Sequence, residues 1–242
     1  MMGRQYAKVY PPATAEWALI KNGPWFKSDG LYSYTKQEGG PGMYGYDGQR
    51  LVYHPFPIKN KPGEDNYYSI TTPYIRRGDG SIWVGTYGAA IGYDGERFTV
   101  LGNEALGLTD ASGFLHIRSL MEDSKGNLWI GNNGMGVIKY SGGEASFFTK
   151  EVKLRKEEAE GNHLDRVFSM AEDASGNIWF GTADSGVWQY DGDTMTNYSV
   201  EDGMDAAHVW TIYQSKNGGM WFGTANPSGV YKYNGEGFER VF

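Results

Sequence analysis

Basic and aromatic residues recur at two fixed distances from four regularly spaced tryptophans. The tryptophans are Trp83, Trp129, Trp179 and Trp221. The positions thirteen residues before them hold Ile70, His116, Arg166 and His208. Two residues further along, the corresponding positions hold Thr72, Arg118, Phe168 and Trp210. Arginine is a forked hydrogen-bond donor, tryptophan offers a stacking face and histidine titrates near neutral pH, so these residue types suit recognition of a polar ligand.

The tryptophans belong to an internal repeat that accounts for this spacing. Residues 172–192 read EDASGNIWFGTADSGVWQYDG, and related segments occupy residues 77–95, 122–142 and 214–235. Successive tryptophans are 46, 50 and 42 residues apart. Each copy holds four candidate strands separated by turns rich in Gly and Asn, residues that tolerate a positive φ. A period of about 40–50 residues with four short strands is typical of a β-propeller blade.

The predicted fold is therefore all-β, a β-propeller with five four-stranded antiparallel blades around a central channel. A single sheet of this kind has two faces to bury, and a ring of sheets buries both. The four tryptophans are expected to be equivalent and buried between blades. The chain is predicted to form one domain over residues 1–242, with blades at residues 15–60, 67–102, 114–150, 164–200 and 207–242.

The first blade is a less regular copy, and its second strand has two alternatives. Residues 42–48 (GMYGYDG) match the third strand and the turn that follows it in the last copy. Residues 29–32 (DGLY), with Tyr32 in place of the tryptophan, keep the spacing of the other copies. Residues 21–26 (KNGPWF) are closer in sequence but imply an insertion. Residues 5–10 either add an outer strand to a terminal blade or pack against it.

The repeat resembles a known family. The run VFSMAEDASGNIWFGT followed by SGVWQYDG, within residues 167–192, is similar to the two-component regulator propeller repeat. The resemblance covers roughly residues 67–242 and implies a bacterial sensor region, most often a periplasmic part of a hybrid histidine kinase. The chain departs from the family's usual setting, because its sequence shows no kinase, no membrane span and no Tyr-rich sandwich domain after the propeller.

Composition excludes several classes of protein. A net charge of −7 over 242 residues argues against a nucleic-acid partner, which would need a basic face. The absence of Cys excludes disulfides and thiolate metal sites. No stretch approaches the roughly 20 apolar residues of a membrane helix, so no membrane insertion is expected. The N-terminus as written has no signal-peptide core, which leaves a cytoplasmic location and the family's periplasmic or extracellular one both open.

Blade topology predicts which loops lie on which face. The loops between blades share one face with the loops between strands two and three of each blade. The interblade loops are long and varied, at residues 101–115, 150–165 and 199–207. The charged run at 150–160 is predicted to be a solvated loop or short helix, with a lid as the alternative. On the opposite face, Asp123 and Asp173 are expected to cap short hairpins by accepting backbone N–H bonds.

The candidate ligand site lies where innermost strands start, on the face with the long loops. Its predicted members are His116, Arg118, Arg166, His208 and Trp210. The alternative is that these side chains fill a wet channel and hydrogen-bond to water and neighbouring loops. A metal held by the two histidines is disfavoured, because they have no local ligand spacing and at least one blade separates them. No catalytic residue, metal or cofactor is predicted.

The predicted function is non-enzymatic, a ligand-binding or sensor-type propeller that recognises a carbohydrate or another small polar ligand. One alternative is a protein–protein interaction platform on the same face. Another is a glycosidase, which needs two carboxylates across a cleft; the channel-mouth positions hold no Asp or Glu, although Asp110, Asp165 and Asp205 lie in the loops. The last is a lyase in which His116 or His208 acts as a base beside a divalent metal.

Overall fold

The structure is a computed structural model whose described residues form short strands joined by turns. The described residues are 19–20, 23–28, 41–46, 49, 51–59, 67–109, 113–151, 153–154 and 164–242. Helical structure among them comprises one α-helical turn, α1 (Phe148–Glu151), and a 3₁₀ turn at Val200–Asp202. The fold class is therefore all-β, as predicted.

Each blade is a sheet of consecutive antiparallel strands. The first contains β1 (Leu19–Ile20), β2 (Gly23–Ser28), β3 (Gly42–Tyr46) and β4 (Leu51–Pro55). The second contains β5 (Ile75–Arg76), β6 (Ile82–Gly85), β7 (Ala90–Tyr93) and β8 (Phe98–Leu101). The third contains β9 (Ile117–Glu122), β10 (Leu128–Asn132), β11 (Val137–Ser141) and β12 (Glu144–Ser146). The fourth contains an outer β13 (Lys153–Leu154), then β14 (Val167–Glu172), β15 (Ile178–Thr182), β16 (Val187–Tyr190) and β17 (Thr194–Tyr198). The fifth contains β18 (His208–Gln214), β19 (Met220–Ala225), β20 (Gly229–Tyr233) and β21 (Phe238–Arg240).

The five sheets confirm the predicted propeller. The innermost strands β5, β9, β14 and β18 contact one another in succession, which places the starts of these strands side by side around the channel. The fourth sheet departs from the four-stranded pattern, because β13 pairs in parallel with the outer strand β17. The charged run at 150–160 thus contributes the end of α1 and β13, while its remaining residues, and with them the lid alternative, lie outside the described residues.

The register of the first blade follows the second of the two alternatives. Strand β2 places Trp25 opposite Gly45, just as Trp83 lies opposite Gly92 in the second blade. In the second blade a Cβ atom at Gly92 would lie only 2.2 Å from Cε2 of Trp83, whereas Lys139 and Gln189 occupy the positions opposite Trp129 and Trp179. The residues of the first alternative, 29–32, and the segment 5–10 lie outside the described residues.

Three of the repeat tryptophans are buried between consecutive blades, as predicted. Trp83, Trp129 and Trp179 are 5%, 2% and 0% exposed. The ring of Trp129 lies 5.8 Å from that of Phe180 in the next blade. The ring of Trp179 lies 5.4 Å from that of Phe222. Each tryptophan therefore points from its own sheet into the face of the following one.

The expectation of equivalent burial is wrong for Trp221, which is only partly buried. Tyr213 lies beside it across β18 and β19 and is 58% exposed. The Lys232 ammonium lies 5.9 Å from the Trp221 ring. In the three preceding blades the next sheet covers this face. In the part of the chain that the structure describes, no sheet does so for the fifth blade.

The turn aspartates act as predicted and also hold the tryptophans. Oδ1 of Asp173 accepts backbone N–H bonds from Ser175 (2.9 Å) and Asn177 (3.0 Å). Its Oδ2 accepts the indole N–H of Trp179 at 2.8 Å. Asp123 makes the same set of bonds in the third blade, including one of 2.8 Å from Trp129. Burial alone would raise the pKa of both carboxyl groups, but these hydrogen bonds outweigh it and hold each pKa below its usual value.

The buried tryptophans are predicted to dominate the stability of the sheet stack. Trp129→Ala and Trp179→Ala should each lower the free energy of unfolding by about 3–5 kcal/mol, because each leaves a cavity between two sheets. Trp221→Ala should cost clearly less, since its face is not covered by another sheet. Urea denaturation measures the free energy of unfolding of all three variants. Equal losses at Trp179 and Trp221 would contradict the difference in burial.

The turn carboxylates should matter mainly through the indole bond. Asp173→Ala should lower the free energy of unfolding by about 2 kcal/mol, since a buried tryptophan loses its charged acceptor. Asp94 is the matched control, because it closes an exposed turn through the backbone N–H groups of Glu96 and Arg97 and holds no tryptophan. Thermal denaturation of Asp94→Ala should show a smaller loss. An Asp94→Ala loss as large as that of Asp173→Ala would show that the turn alone matters.

Candidate ligand-binding site

The predicted site residues occupy equivalent places at the starts of the innermost strands. The backbone carbonyl of His116 accepts a bond from Asn133 N (2.9 Å), and that of Arg166 accepts one from Ala183 N (3.0 Å). His208 pairs with Ala225 in the same manner. In all three blades the partner lies in or next to the loop between strands two and three. The repeat offset therefore places these positions on one face of the propeller.

Aromatic contacts join the second, third and fourth blades at this face. The ring of His116 lies 4.6 Å from that of Tyr87, which projects from the loop between β6 and β7. The Arg118 guanidinium lies 5.4 Å from the ring of Phe168 and 6.0 Å from that of Tyr87. Arg118 is thus held between two aromatic rings of neighbouring blades.

A second group of rings continues the contact into the fifth blade. Phe168 meets the rings of His208 and Trp210 edge-on, at 5.5 and 5.1 Å. His208 and Trp210 stack at 4.7 Å with an interplanar angle of 21°. Trp210 remains 49% exposed. We call the resulting set the channel-mouth cluster; its members are Tyr87, His116, Arg118, Phe168, His208 and Trp210.

Arg166 lies beside the cluster and is already paired. Its Nε donates to Oδ1 of Asn133 at 3.0 Å. One of its terminal nitrogens lies 3.2 Å from Oδ2 of Asp184. Both charged side chains are about half exposed, which makes this a weak, solvent-screened ion pair. Arg166 thus connects the third and fourth blades at the rim.

The hydrogen bond from Arg166 determines how Asn133 and His116 are oriented. Because Oδ1 of Asn133 accepts from Arg166, its Nδ2 is the donor that faces Nδ1 of His116 at 3.4 Å. Nδ1 is therefore the acceptor, and neutral His116 carries its proton on Nε2. His116 thereby presents an N–H donor at Nε2.

Three buried nitrogens of the cluster have no hydrogen-bond partner within the described chain. They are Nε2 of His116, Nε of Arg118 and Nε2 of His208. Buried polar groups are normally satisfied, so three such atoms in one cluster distinguish it from ordinary packing. The guanidinium of Arg118 makes neither a hydrogen bond nor an ion pair with any described residue.

The electrostatic environment keeps both histidines neutral near pH 7. Burial lowers the pKa of His116, and the neighbouring Arg118 charge lowers it further. Burial also lowers the pKa of His208, with Arg166 acting in the same direction and Asp184 against it. Loss of solvation and a nearby positive charge both disfavour the imidazolium form.

Sequence reasoning missed the loop residues that complete the site. Tyr87, Asn133 and Asp184 all come from loops between strands two and three. The predicted topology placed these loops on the correct face, but only the long interblade loops were considered as sources of ligand contacts. Phe168 occupied a counted position and was not selected, although it connects both halves of the cluster.

Two carboxylates near this face are already paired. Asp205 accepts bonds from the Tyr231 hydroxyl and, at 2.5 Å, from Arg240. Asp184 is paired with Arg166, and Asp110 lies outside the described residues. Among the described residues, no group of three His, Cys, Asp or Glu side chains is arranged to hold a metal ion.

Comparison with known families identifies the repeat. The family model described as two component regulator propeller matches residues 113–134, 163–184 and 203–226. Three of the five blades, the third, fourth and fifth, thus contain a segment that matches the two component regulator propeller repeat. The matched segments include the starts of β9, β14 and β18, so the repeats supply most of the channel-mouth cluster. No curated protein matches the chain.

Solved structures share the fold of these repeats. The extracellular domain of a B. thetaiotaomicron protein described as a one component system is 23% identical, with a TM-score of 0.61, over 93% of this chain and 29% of that one. The extracellular domain of a hybrid two component system from the same organism is 21% identical, with a TM-score of 0.59, over 84% and 26%. Virginiamycin B lyase from Staphylococcus aureus is 9% identical, with a TM-score of 0.63, over 83% and 62%. The chain thus spans less than a third of the two B. thetaiotaomicron domains.

Membrane-spanning helices are not part of the described propeller. None of its described helices has the length and apolar character needed to cross a bilayer.

The neutral histidines predict a loss of propeller stability in mild acid. Their pKa values lie below the unfolded value of about 6.5, so the unfolded chain binds more protons as the pH falls through that value. The free energy of unfolding should therefore be highest above about pH 6.5 and decline as the pH falls below that value. Urea unfolding at several pH values measures this decline.

Replacing both histidines should flatten that pH dependence. In the double variant His116→Gln, His208→Gln, the decline should be clearly smaller than in the parent protein. His54, whose pKa burial also lowers, serves as the control through His54→Gln, which should remove only its own share. An unchanged decline in the double variant would assign the pH dependence to other groups.

Proposed function

We propose that this chain is a non-enzymatic, sensor-type ligand-binding propeller that recognises a carbohydrate or another small polar ligand at the channel mouth. One observation carries the proposal: the channel-mouth cluster combines a half-exposed Trp210 with three unpartnered buried nitrogens. Buried polar groups are normally hydrogen-bonded, so these nitrogens are available to acceptor atoms of a bound ligand.

The chemistry of the cluster suits a ring with polar substituents. Trp210 stacks on His208 through one face, so its exposed part is available to an apolar ring or sugar face. Arginine and histidine N–H groups beside it favour hydroxyl, carbonyl or carboxylate acceptors. Arg118, Phe168 and Trp210 belong to the innermost strands of three adjacent blades. Side chains held on strands are pre-organised, which reduces the entropy lost on binding.

The sensor assignment draws on the similar structures. Two of them are extracellular domains of proteins described as one component and hybrid two component systems. Propellers are scaffolds for many activities, so the assignment rests on the site as well as on the fold. The glycosidase alternative has less support, because the nearby Asp184 and the loop residue Asp205 are already paired. The lyase alternative has less support, because no group of three His, Cys, Asp or Glu side chains among the described residues is arranged to hold a divalent metal.

Docking of a protein partner on the same face is a second candidate. Phe114, two residues before His116 in the chain, is 69% exposed. Exposed aromatic residues often anchor protein interfaces. Under this alternative, Phe114→Ser would weaken binding of the partner, whereas a small ligand held in the cluster would be unaffected.

The test is a thermal-shift screen of sugars, glycans and polar metabolites followed by calorimetry on variants. A true ligand at about 100 times its Kd should stabilise the propeller by about 2.7 kcal/mol. Trp210→Ala should then weaken binding by about tenfold or more, because the stacking face is lost. Arg166→Ala should weaken binding less, since Arg166 lies at the rim and is already paired.

Tyr213→Ala is the matched control for Trp210→Ala. Both residues are exposed aromatics of β18, but Tyr213 lies beside Trp221, away from the cluster. Its removal should leave the affinity within about twofold of the parent value. Equal effects of the two variants, or none in Trp210→Ala, would place the ligand elsewhere.

A further inference from the structure

Arg118 is a half-buried cation without a counter-ion. Its guanidinium makes no hydrogen bond and no ion pair with any described residue, and its Nε is shielded from solvent. Two aromatic faces, of Phe168 and Tyr87, are its main neighbours. Arg166, which directly precedes the adjacent innermost strand β14, has both an amide and a carboxylate partner. Arg166 is therefore paired, whereas Arg118 is not paired with any described residue.

An unpaired charge in this position is costly. Removing a guanidinium from water is favourable overall only when hydrogen bonds and an opposite charge replace its solvation. Cation–π contacts of the kind that Arg118 makes offset only part of that cost. An anion that binds at this point would supply what the protein does not.

The neighbouring donors point to the same kind of ligand. The Arg118 charge lies close enough to His116 to act on its titration. The bond with Asn133 leaves the proton of His116 on Nε2, which has no acceptor. The site thus contains adjacent N–H donors on Arg118 and His116, and one carboxylate, Asp184, that is taken by Arg166. Donors without an acceptor favour an oxyanion.

We propose that Arg118 and His116 form an anion subsite for a carboxylate carried on a ring, with the ring placed toward Phe168 and Trp210. A carboxylate matches the planar fork of a guanidinium better than a spherical anion does. Rings of two sources share this chemistry, an acidic sugar and an aromatic acid. The inference rests on the proposed function, because it names the ligand class of the same site.

The experiment compares charged probes with neutral counterparts of the same shape. The pairs are glucuronate with glucose, and benzoate with benzamide, titrated into the full chain at constant ionic strength. In at least one pair the carboxylate should bind about tenfold or more tightly than its neutral counterpart. A preference within the sugar pair would indicate an acidic sugar as the ligand, and a preference within the benzoate pair would indicate an aromatic acid.

Variants of Arg118 then test the subsite itself. Arg118→Met retains the length of the side chain between the two rings and should remove the preference for the carboxylate. Arg118→Lys retains the charge without the fork and should keep only part of that preference. Lys125→Met is the matched control, because it makes the same change in net charge at an exposed turn on the opposite face. It should leave the preference within about twofold of the parent value.

Stability without ligand separates a subsite from a structural role. Replacing an unpaired charge by an apolar side chain of similar length should leave the melting temperature of Arg118→Met unchanged or raised. A clear decrease, with the carboxylate preference intact, would show that Arg118 only supports packing and would overturn the inference. Equal binding of charged and neutral probes, or no binding of any of the four, would overturn it as well.

The two proposals fail in different ways. If a neutral compound from the screen binds and depends on Trp210, while neither carboxylate is preferred, the anion subsite is wrong and the proposed function stands. If no compound of the screen or of the probe set binds, both are wrong.

Discussion

The hydrogen bond from a tryptophan indole to a side chain of the preceding turn is the interaction that organises the second, third and fourth blades. Asp173 closes the hairpin between β14 and β15 and, with the same carboxylate, holds Trp179 at 2.8 Å. In the second blade Ser81 takes this role for Trp83, at 2.9 Å. A large ring anchored at its polar end presents a fixed apolar surface to the next sheet. One local contact therefore closes a turn and prepares an interblade interface.

Charged contacts on the same face connect consecutive blades. Glu122 accepts the backbone N–H of Gly78 (2.6 Å) and the side chain of Arg77 (2.8 Å) from the preceding blade. Glu172 accepts the N–H and hydroxyl of Ser124, both at 2.6 Å. These residues belong to the repeated motif, so one end of the channel has the same side-chain contacts between consecutive blades. At the opposite end backbone bonds also join blades, for example from Gly136 N to the Asp165 carbonyl at 2.9 Å, but the side chains differ from blade to blade.

The side chains at the site end of the channel vary among blades, and this variation allows the candidate site to contain unsatisfied polar groups. Arg166 is paired with Asp184 across a loop, whereas Arg118 lies between two rings and lacks an acceptor. The buried tryptophans stabilise the fold, so that it tolerates the unfavourable free energy of an unpaired, partly buried guanidinium. Strain or unpaired charge retained on a stable scaffold is characteristic of positions that serve binding. The proposed ligand chemistry follows from this contrast between two arginines of one site.

The sequence by itself determined the features that depend on local chemistry and on the repeat. These include the strand pattern, the capping role of Asp173, and the side-by-side placement of His116, Arg166 and His208, because equal offsets in equal sheets lead to equal positions. Only the tertiary structure decided what the neighbours of these residues are. Tyr87 and Asn133 belong to adjoining loops, and the exposure of Trp221 depends on whether another sheet lies against it. Such contacts join residues far apart in the chain, where side-chain packing and the order of the blades, rather than local propensity, set the distance.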